Sequence, residues 1–251
     1  MKKLGLIHRP VPASAPNLRM HAINQTVAPD HLDRSHIAYT PQLFGNGDCG
    51  DCTIAGLANA LLAQSALSGF GLNIPTSKVL AKYSTLSGYN PSDPATDTGL
   101  VEVDVLADQI TNGFDTGDQT PFAGLWATID PANLNQMMVA MAQLGVAYLG
   151  LTLRVADQAD GVLDTVDGDQ TTLWGGHCAI SFGYTGKTDT DLVELDTWGE
   201  RRQVTVRWIK SRMTECHALV HRQLMTPQAV NGCGLSWDRL SADCASFQVA
   251  A

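Results

Sequence analysis

The stretch GNGDCGDCTIAGLANALL, residues 45–62, is the part of the chain on which the fold turns. It sets Asn46, three glycines, two aspartates and the Cys49-x-x-Cys52 pair directly ahead of a helical run. Ile54, Leu57, Ala58, Leu61 and Leu62 recur at i, i+3, i+4, i+7 and i+8, one apolar face of an α-helix over residues 53–64. Three chemistries compete for the cysteines. A thioredoxin-type redox pair follows a strand inside a βαβ unit, and here a glycine-rich loop precedes the pair. A zinc site needs two more ligands. Cys216, His217 and His221 of ECHALVH offer donors, with the histidines expected on one helical face, but there is no second Cys-x-x-Cys and plain helix histidines explain them better. A nucleophile at the helix start accounts for every residue of the stretch. Helix N–H groups and dipole stabilise a Cys52 thiolate. Gly47 and Gly50 let the backbone turn and approach a substrate. Asn46 projects an amide N–H towards the Cys52 backbone N–H, and two such donors make an oxyanion hole.

That chemistry demands a histidine and a group to orient it. HCAISFGY places His177 at the start of a strand, and VELDTWG places Asp196 near the end of the next. If these strands pair across TGKTDT, the two ends lie side by side. His177, Ala179 and Ser181 then point one way, and Cys178, Ile180 and Phe182 the other. Asp196 is expected to hold one imidazole nitrogen and leave the other for Cys52.

Working outward, the first half of the chain reads as helices and the second as an antiparallel sheet, an α+β pattern. Residues 1–40, rich in proline and polar residues, read as an extended arm. Residues 75–87 and 101–110 read as helices, the second closed by Asn112-Gly113. Asp130-Pro131 reads as the N-cap and first residue of a helix running to Gln143. VAYLGLTL and RQVTVRWI read as strands, and 208–225 and 237–245 as helical pieces. The expected organisation is one domain over 1–251, with a core at 41–205 and a C-terminal helical extension at 206–251.

The 251 residues carry a net charge of −9 and a pI near 5.0, against a nucleic-acid or anionic-membrane partner. The most apolar run, residues 137–153, is broken by Gln143, Gly145 and Gly150 and is too short to span a bilayer. MKKLGLIHRP lacks the apolar core of a signal peptide. A cytoplasmic protein is expected, with its six cysteines mostly thiols.

NGDCGDC, HCAISFGY and DTWG together resemble the oxyanion-nucleophile segment, the histidine strand and the Asn-Ser-Trp-Gly segment of papain-like cysteine peptidases. The chain also resembles an uncharacterised phage and bacterial branch, through its GN…GDC…A segment, its Asp-x-Gly before a helix, its closing TWG and its tail ECHALVHRQL…GLSWDRLSADCASF. The resemblance implies a papain-like fold, with Cys52 as nucleophile, His177 as acid/base, Asp196 as orienter and Asn46 as oxyanion donor, and no metal or other cofactor. It implies that Trp198 shields the His177–Asp196 bond and that Thr98 and Gly99 meet an extended peptide. Asn46 is one methylene shorter than the family's glutamine, and Asp196 stands where asparagine is usual. The cysteine matching Cys49 is disulfide-bonded in secreted members, but no cysteine lies between Cys52 and Cys178, so Cys49 is expected as a packed thiol. The expected activity is hydrolysis of a peptide or isopeptide amide in a peptide or protein substrate through an acyl-enzyme. A transglutaminase-like or amidase acyl transferase, a phage-associated cell-wall peptide hydrolase, and a catalytically silent structural protein are the alternatives.

Overall fold

The structure is a computed structural model and describes residues 2–117, 120–164, 172–225 and 234–247. Cys233 lies outside the described residues. The order of elements is α1 (Cys52–Ser68), α2 (Thr76–Ser87), α3 (Glu102–Thr111), β1 (Gly124–Thr128), α4 (Leu134–Leu144), β2 (Ala147–Arg154), β3 (Leu173–Tyr184), β4 (Leu192–Thr197), β5 (Glu200–Thr205), α5 (Val206–Arg212), β6 (Met213–His221) and α6 (Trp237–Ser246). The strands form one antiparallel sheet in the order β1-β6-β2-β3-β4-β5. This is the α+β class that the sequence pattern predicts.

α1 is longer than expected and buried on nearly all sides, not along one stripe. The cause is that it is enclosed from more than one side. Tyr148 of β2 donates to the Thr53 carbonyl (2.8 Å), while the N-terminal arm reaches the other side through Tyr39 and Gln42, both bonded to Asn59. Gly69 ends it in the left-handed conformation that glycine adopts without strain (φ 71°). Gln64 donates to the Leu144 and Leu219 carbonyls and accepts from His221, tying α1 to α4 and β6.

Three expectations need correction. The Asp130-Pro131 pair does not cap α4. It forms the preceding turn, and Asn133 is the cap, accepting from the Gln136 N–H. The strand expected at RQVTVRWI stops at Thr205, whose hydroxyl caps α5 instead. The helix expected over 208–225 is α5 followed by the strand β6, which sits between β1 and β2 in the sheet. The segment from 206 on is therefore not a helical extension. MTECHALVH contains His217, Leu219 and His221 at period two, and the i, i+4 histidines fit a strand face as well as a helix face. β1 is a strand that the sequence pattern does not announce, since its residues are buried on both faces and do not alternate. Among the described residues no helix is long and apolar enough to cross a membrane.

The turn after β2 is fixed by one buried carboxylate. Asp157 accepts from the Arg154 N–H, the Trp208 indole (2.8 Å) and Arg212 Nε (2.8 Å), and both members of its ion pair are buried. Removing one side of such a pair leaves the other charge uncompensated. Asp157→Ala is expected to cost about 3–5 kcal/mol and about 10 °C in Tm, measured by calorimetry at pH 7, with Asp157→Asn intermediate.

Candidate active site

Cys52 is the first residue of α1 and is almost completely buried. Its thiol lies against the backbone N–H groups of Cys178 and Gly5, which favour the thiolate, but burial outweighs them and pushes the thiol up to about 12. Cys49 is likewise a buried free thiol, pushed up to about 12 by burial, and donates to the Gly45 carbonyl.

The pleat of β3 decides where the other expected residues point. Cys178 pairs with Gly150, and Ile180 with both Tyr148 and Asp196. Directly paired residues share a face. A Cβ placed on Gly56 of α1 would meet Cys178 Sγ at 2.9 Å and Tyr148 at 3.3 Å, so this is the face that α1 covers. Asp196 belongs to it, beside Tyr39. His177 pairs with Leu151 and points to the opposite face, into a small apolar cavity with Leu151, Leu163 and Trp208.

The hydrogen-bond partner of His177 is therefore not the expected Asp196 but its neighbour. His177 Nε2 is 2.5 Å from Thr197 Oγ1, while Asp196 lies against the Tyr39 hydroxyl. His177 Nδ1 has no hydrogen-bond partner among the described residues. Burial lowers His177 to about 3 and raises Asp196 to about 7. In this conformation the thiol and the imidazole are both neutral.

Trp198 does cover the histidine. Its ring stacks on the imidazole with centroids 3.8 Å apart and planes at 12°. Trp198 and Gly199 both have positive φ (49° and 73°), and Thr197 pairs with Glu200. They form the two-residue turn of a tight hairpin, where the twist demands positive φ and a tryptophan is unusual. The stacking, and an indole bond to the Lys3 carbonyl (3.0 Å), offset that strain.

The N-terminal arm occupies the groove above Cys52. Lys3 N–H donates to the Asn46 carbonyl, Leu6 N–H to Gly176 and Ile7 N–H to Leu100, while Leu100 N–H donates to Gly5. Residues 3–7 are thus an extended strand bonded on both sides. Gly99, with φ 78°, carries the chain into this pairing, and a Cβ there would strike the Gly5 carbonyl. Of the expected pair Thr98 and Gly99, Gly99 passes close against Gly5, and the backbone hydrogen bonds to the segment come from the next residue, Leu100. The Asn46 amide reaches the Lys3 carbonyl at 3.4 Å and the Cys49 carbonyl at 3.5 Å. The Lys3 oxygen thus lies between the Asn46 and Trp198 N–H donors. Gly50 donates to Asp97 (2.9 Å) and meets Gly5 backbone to backbone. A Cβ on Gly5 would lie 1.8 Å from the Gly50 oxygen.

Nothing in the local pattern favours Thr197 over Asp196. Only the pairing register separates adjacent residues of a strand. The zinc donors weighed at Cys216, His217 and His221 are not brought together either. Cys216 alternates to the other face of β6 from the two histidines, and His221 is bonded to Gln64.

No protein-family model matches the chain, and no curated protein matches it. Solved structures do. Xylellain, a cysteine protease from Xylella fastidiosa, superposes with a TM-score of 0.65 at 13% identity over 88% of this chain and 97% of that one. Procathepsin B S9 from Trypanosoma congolense gives 0.64 at 12% identity over 88% and 87%. The cysteine protease and lectin-like domains of Cwp84 from Clostridium difficile give 0.59 at 13% over 86% and 55%. The chain has the papain-like fold. These likenesses carry the fold and lend nothing to the phage branch.

Asp196 gives this site a pH signature. Its carboxyl is raised in the folded chain from its ordinary 3.8 to about 7. Between those values the unfolded chain has lost the proton and the folded chain holds it, so folding stability falls as pH rises through that window. Asp196→Asn is expected to raise Tm over the parent by about 3–6 °C at pH 8 and to leave it unchanged at pH 3.5. An equal shift at both pH values in calorimetry would contradict a buried, protonated Asp196.

Proposed function

We propose that the chain is a cysteine-dependent hydrolase of peptide or isopeptide amides, with Cys52 as nucleophile. The single observation that carries this is an extended peptide, the chain's own residues 3–7, bonded through its backbone to Gly176 and Leu100 and laid across the Cys52 thiol. A groove that binds peptide backbone over a helix-terminal thiol is suited to acyl transfer. The named structural neighbours are cysteine proteases, which is consistent with the same chemistry here.

In the proposed reaction the Cys52 thiolate attacks a substrate carbonyl. Asn46 and the Cys52 N–H hold the oxyanion. His177, oriented by Thr197 and covered by Trp198, protonates the leaving amine and then activates water to release the acyl-enzyme. The reaction requires residues 3–7 to leave the groove and the unbonded Nδ1 side of His177 to turn towards Cys52. Rehydration on opening brings the thiol and the imidazole back towards their ordinary values, where an ion pair is accessible.

A second function is favoured by a specific observation, the neutral thiol and the commitment of His177 to Thr197 on the far face. It is a protein that keeps the peptide groove without turnover. One variant separates the two. Gly5→Val cannot approach Gly50 and should expel the strand. Relative to the parent, it is expected to alkylate at Cys52 with iodoacetamide at least ~10-fold faster at pH 7. It is also expected to hydrolyse a fluorogenic peptide amide, with activity lost in Cys52→Ser and His177→Ala. Labelling at Cys52 that stays as slow as at Cys49 after expulsion, with no hydrolysis, would favour the silent protein.

A further inference from the structure

Behind the groove, on the α1 side of the sheet, three buried ionisable side chains meet. Glu102 opens α3, and Glu215 and His217 stand two apart on β6. All three are buried. His217 Nε2 is 3.4 Å from Glu102 Oε2 and 3.9 Å from Glu215 Oε2. One donor atom from each lies within 4.8 Å of the others. These contacts pair His217 Nε2 with both carboxylates, and the Cys178 thiol lies against Glu102, but none of Glu102 Oε1, Glu102 Oε2, Glu215 Oε2 or the two His217 nitrogens has a partner in full hydrogen-bond geometry among the described residues. Two carboxylates converging on one imidazole nitrogen, with five polar atoms short of well-formed hydrogen bonds, are costly to bury as they stand.

We propose that Glu102, Glu215 and His217 form a binding site for a divalent transition-metal cation of the zinc type. Metal–oxygen and metal–nitrogen bonds of about 2.0–2.2 Å set tetrahedral ligand-to-ligand spacings of about 3.4 Å, close to the separations present. A cation there favours the ionised form of both buried carboxylates and completes the coordination of their under-bonded oxygens in one step. Mixed carboxylate and imidazole donors without sulfur suit zinc or manganese, and too few oxygens converge for calcium.

The surroundings are those of a supported site. His8 Nδ1 is 3.3 Å from Glu215 Oε1, the oxygen turned away from His217, and the hydroxyls of Thr152 and Thr214 hold the His8 ring. Outer partners of this kind orient a ligating carboxylate. The Trp126 ring meets His217 edge-on at 5.4 Å and closes the other side. His8 is the partly exposed member, so it marks the way in. Because His8 follows directly on the strand in the groove, the bound cation fastens the N-terminal arm as well.

The test is zinc titration of the chelator-treated full chain by calorimetry, with the loaded protein taken to zinc K-edge absorption. The expected result is one zinc per chain and a first shell of one imidazole nitrogen with carboxylate oxygens and no sulfur. Affinity is expected to follow zinc over manganese over calcium, and Tm to rise by about 5 °C or more at 100-fold excess over Kd. Glu102→Gln and His217→Ala should each weaken binding at least ~10-fold, and His8→Ala less. Absence of binding at 100-fold excess over protein (about 1 mM zinc) would overturn the proposal, as would sulfur in the first shell or unchanged affinity in a folded Glu102→Gln. If Glu102→Gln does not fold, the first shell of the parent chain decides.

Discussion

The period-two alternation of β3 is the constraint on which the site depends. A strand cannot present consecutive residues to the same side, so the chain cannot turn both His177 and Cys178 towards α1. Gly56 of α1 leaves the room that the Cys178 sulfur takes, since a Cβ there would meet it at 2.9 Å. Once Cys178 faces α1, pairing of Ile180 with Asp196 sends the aspartate to the same side, and Thr197 joins His177 on the other. The neutral states of Cys52 and His177 follow, because each is left in a dry environment without an opposite charge, and burial raises Asp196 in spite of Arg201 nearby.

The second constraint is the close passage of two backbones at Gly5 and Gly50. Only glycine at both positions lets an extended segment lie that near the loop before Cys52. The bonds it makes are backbone bonds to both walls, as any extended peptide would make. Its sequence therefore matters less to its docking than its ability to lie flat.

These two constraints explain what was legible in the sequence. The α+β class, the helix following Cys52 and the hairpin between β3 and β4 were readable, because local periodicity and turn chemistry encode them, whereas the cover of Trp198 over His177 came only from the resemblance to papain-like peptidases. The faces of His177 and Asp196 were not. A slip of one residue in register exchanges Asp196 for Thr197, and the pattern HCAISF is apolar on both sides of the strand, so nothing in it votes for either face. β6 was misread for a related reason. Its histidines sit at i, i+4, a spacing that is in phase for a helix and for a strand, and nothing local breaks the tie. Glu102 gave no signal at all, because an acidic residue in the first helical turn is ordinary and only tertiary packing buries it.

The N-terminal arm joins the two polar centres that the fold buries. Residues 3–7 cover Cys52 and shut water away from it, and the next residue, His8, is bonded to Glu215 at the carboxylate cluster. Neither centre has enough internal partners to satisfy its own polar atoms. Each therefore carries a desolvation cost that undocking of the arm would partly relieve, while the backbone bonds of residues 3–7 and the packing of Leu6 oppose release. A cation at Glu102, Glu215 and His217 would shift that balance towards the docked arm, since it binds the arrangement in which His8 holds Glu215 and gains nothing from the arm once released. By the same linkage, a peptide that displaces residues 3–7 would loosen His8 and weaken the cation, so occupancy of the two centres opposes through one short strand.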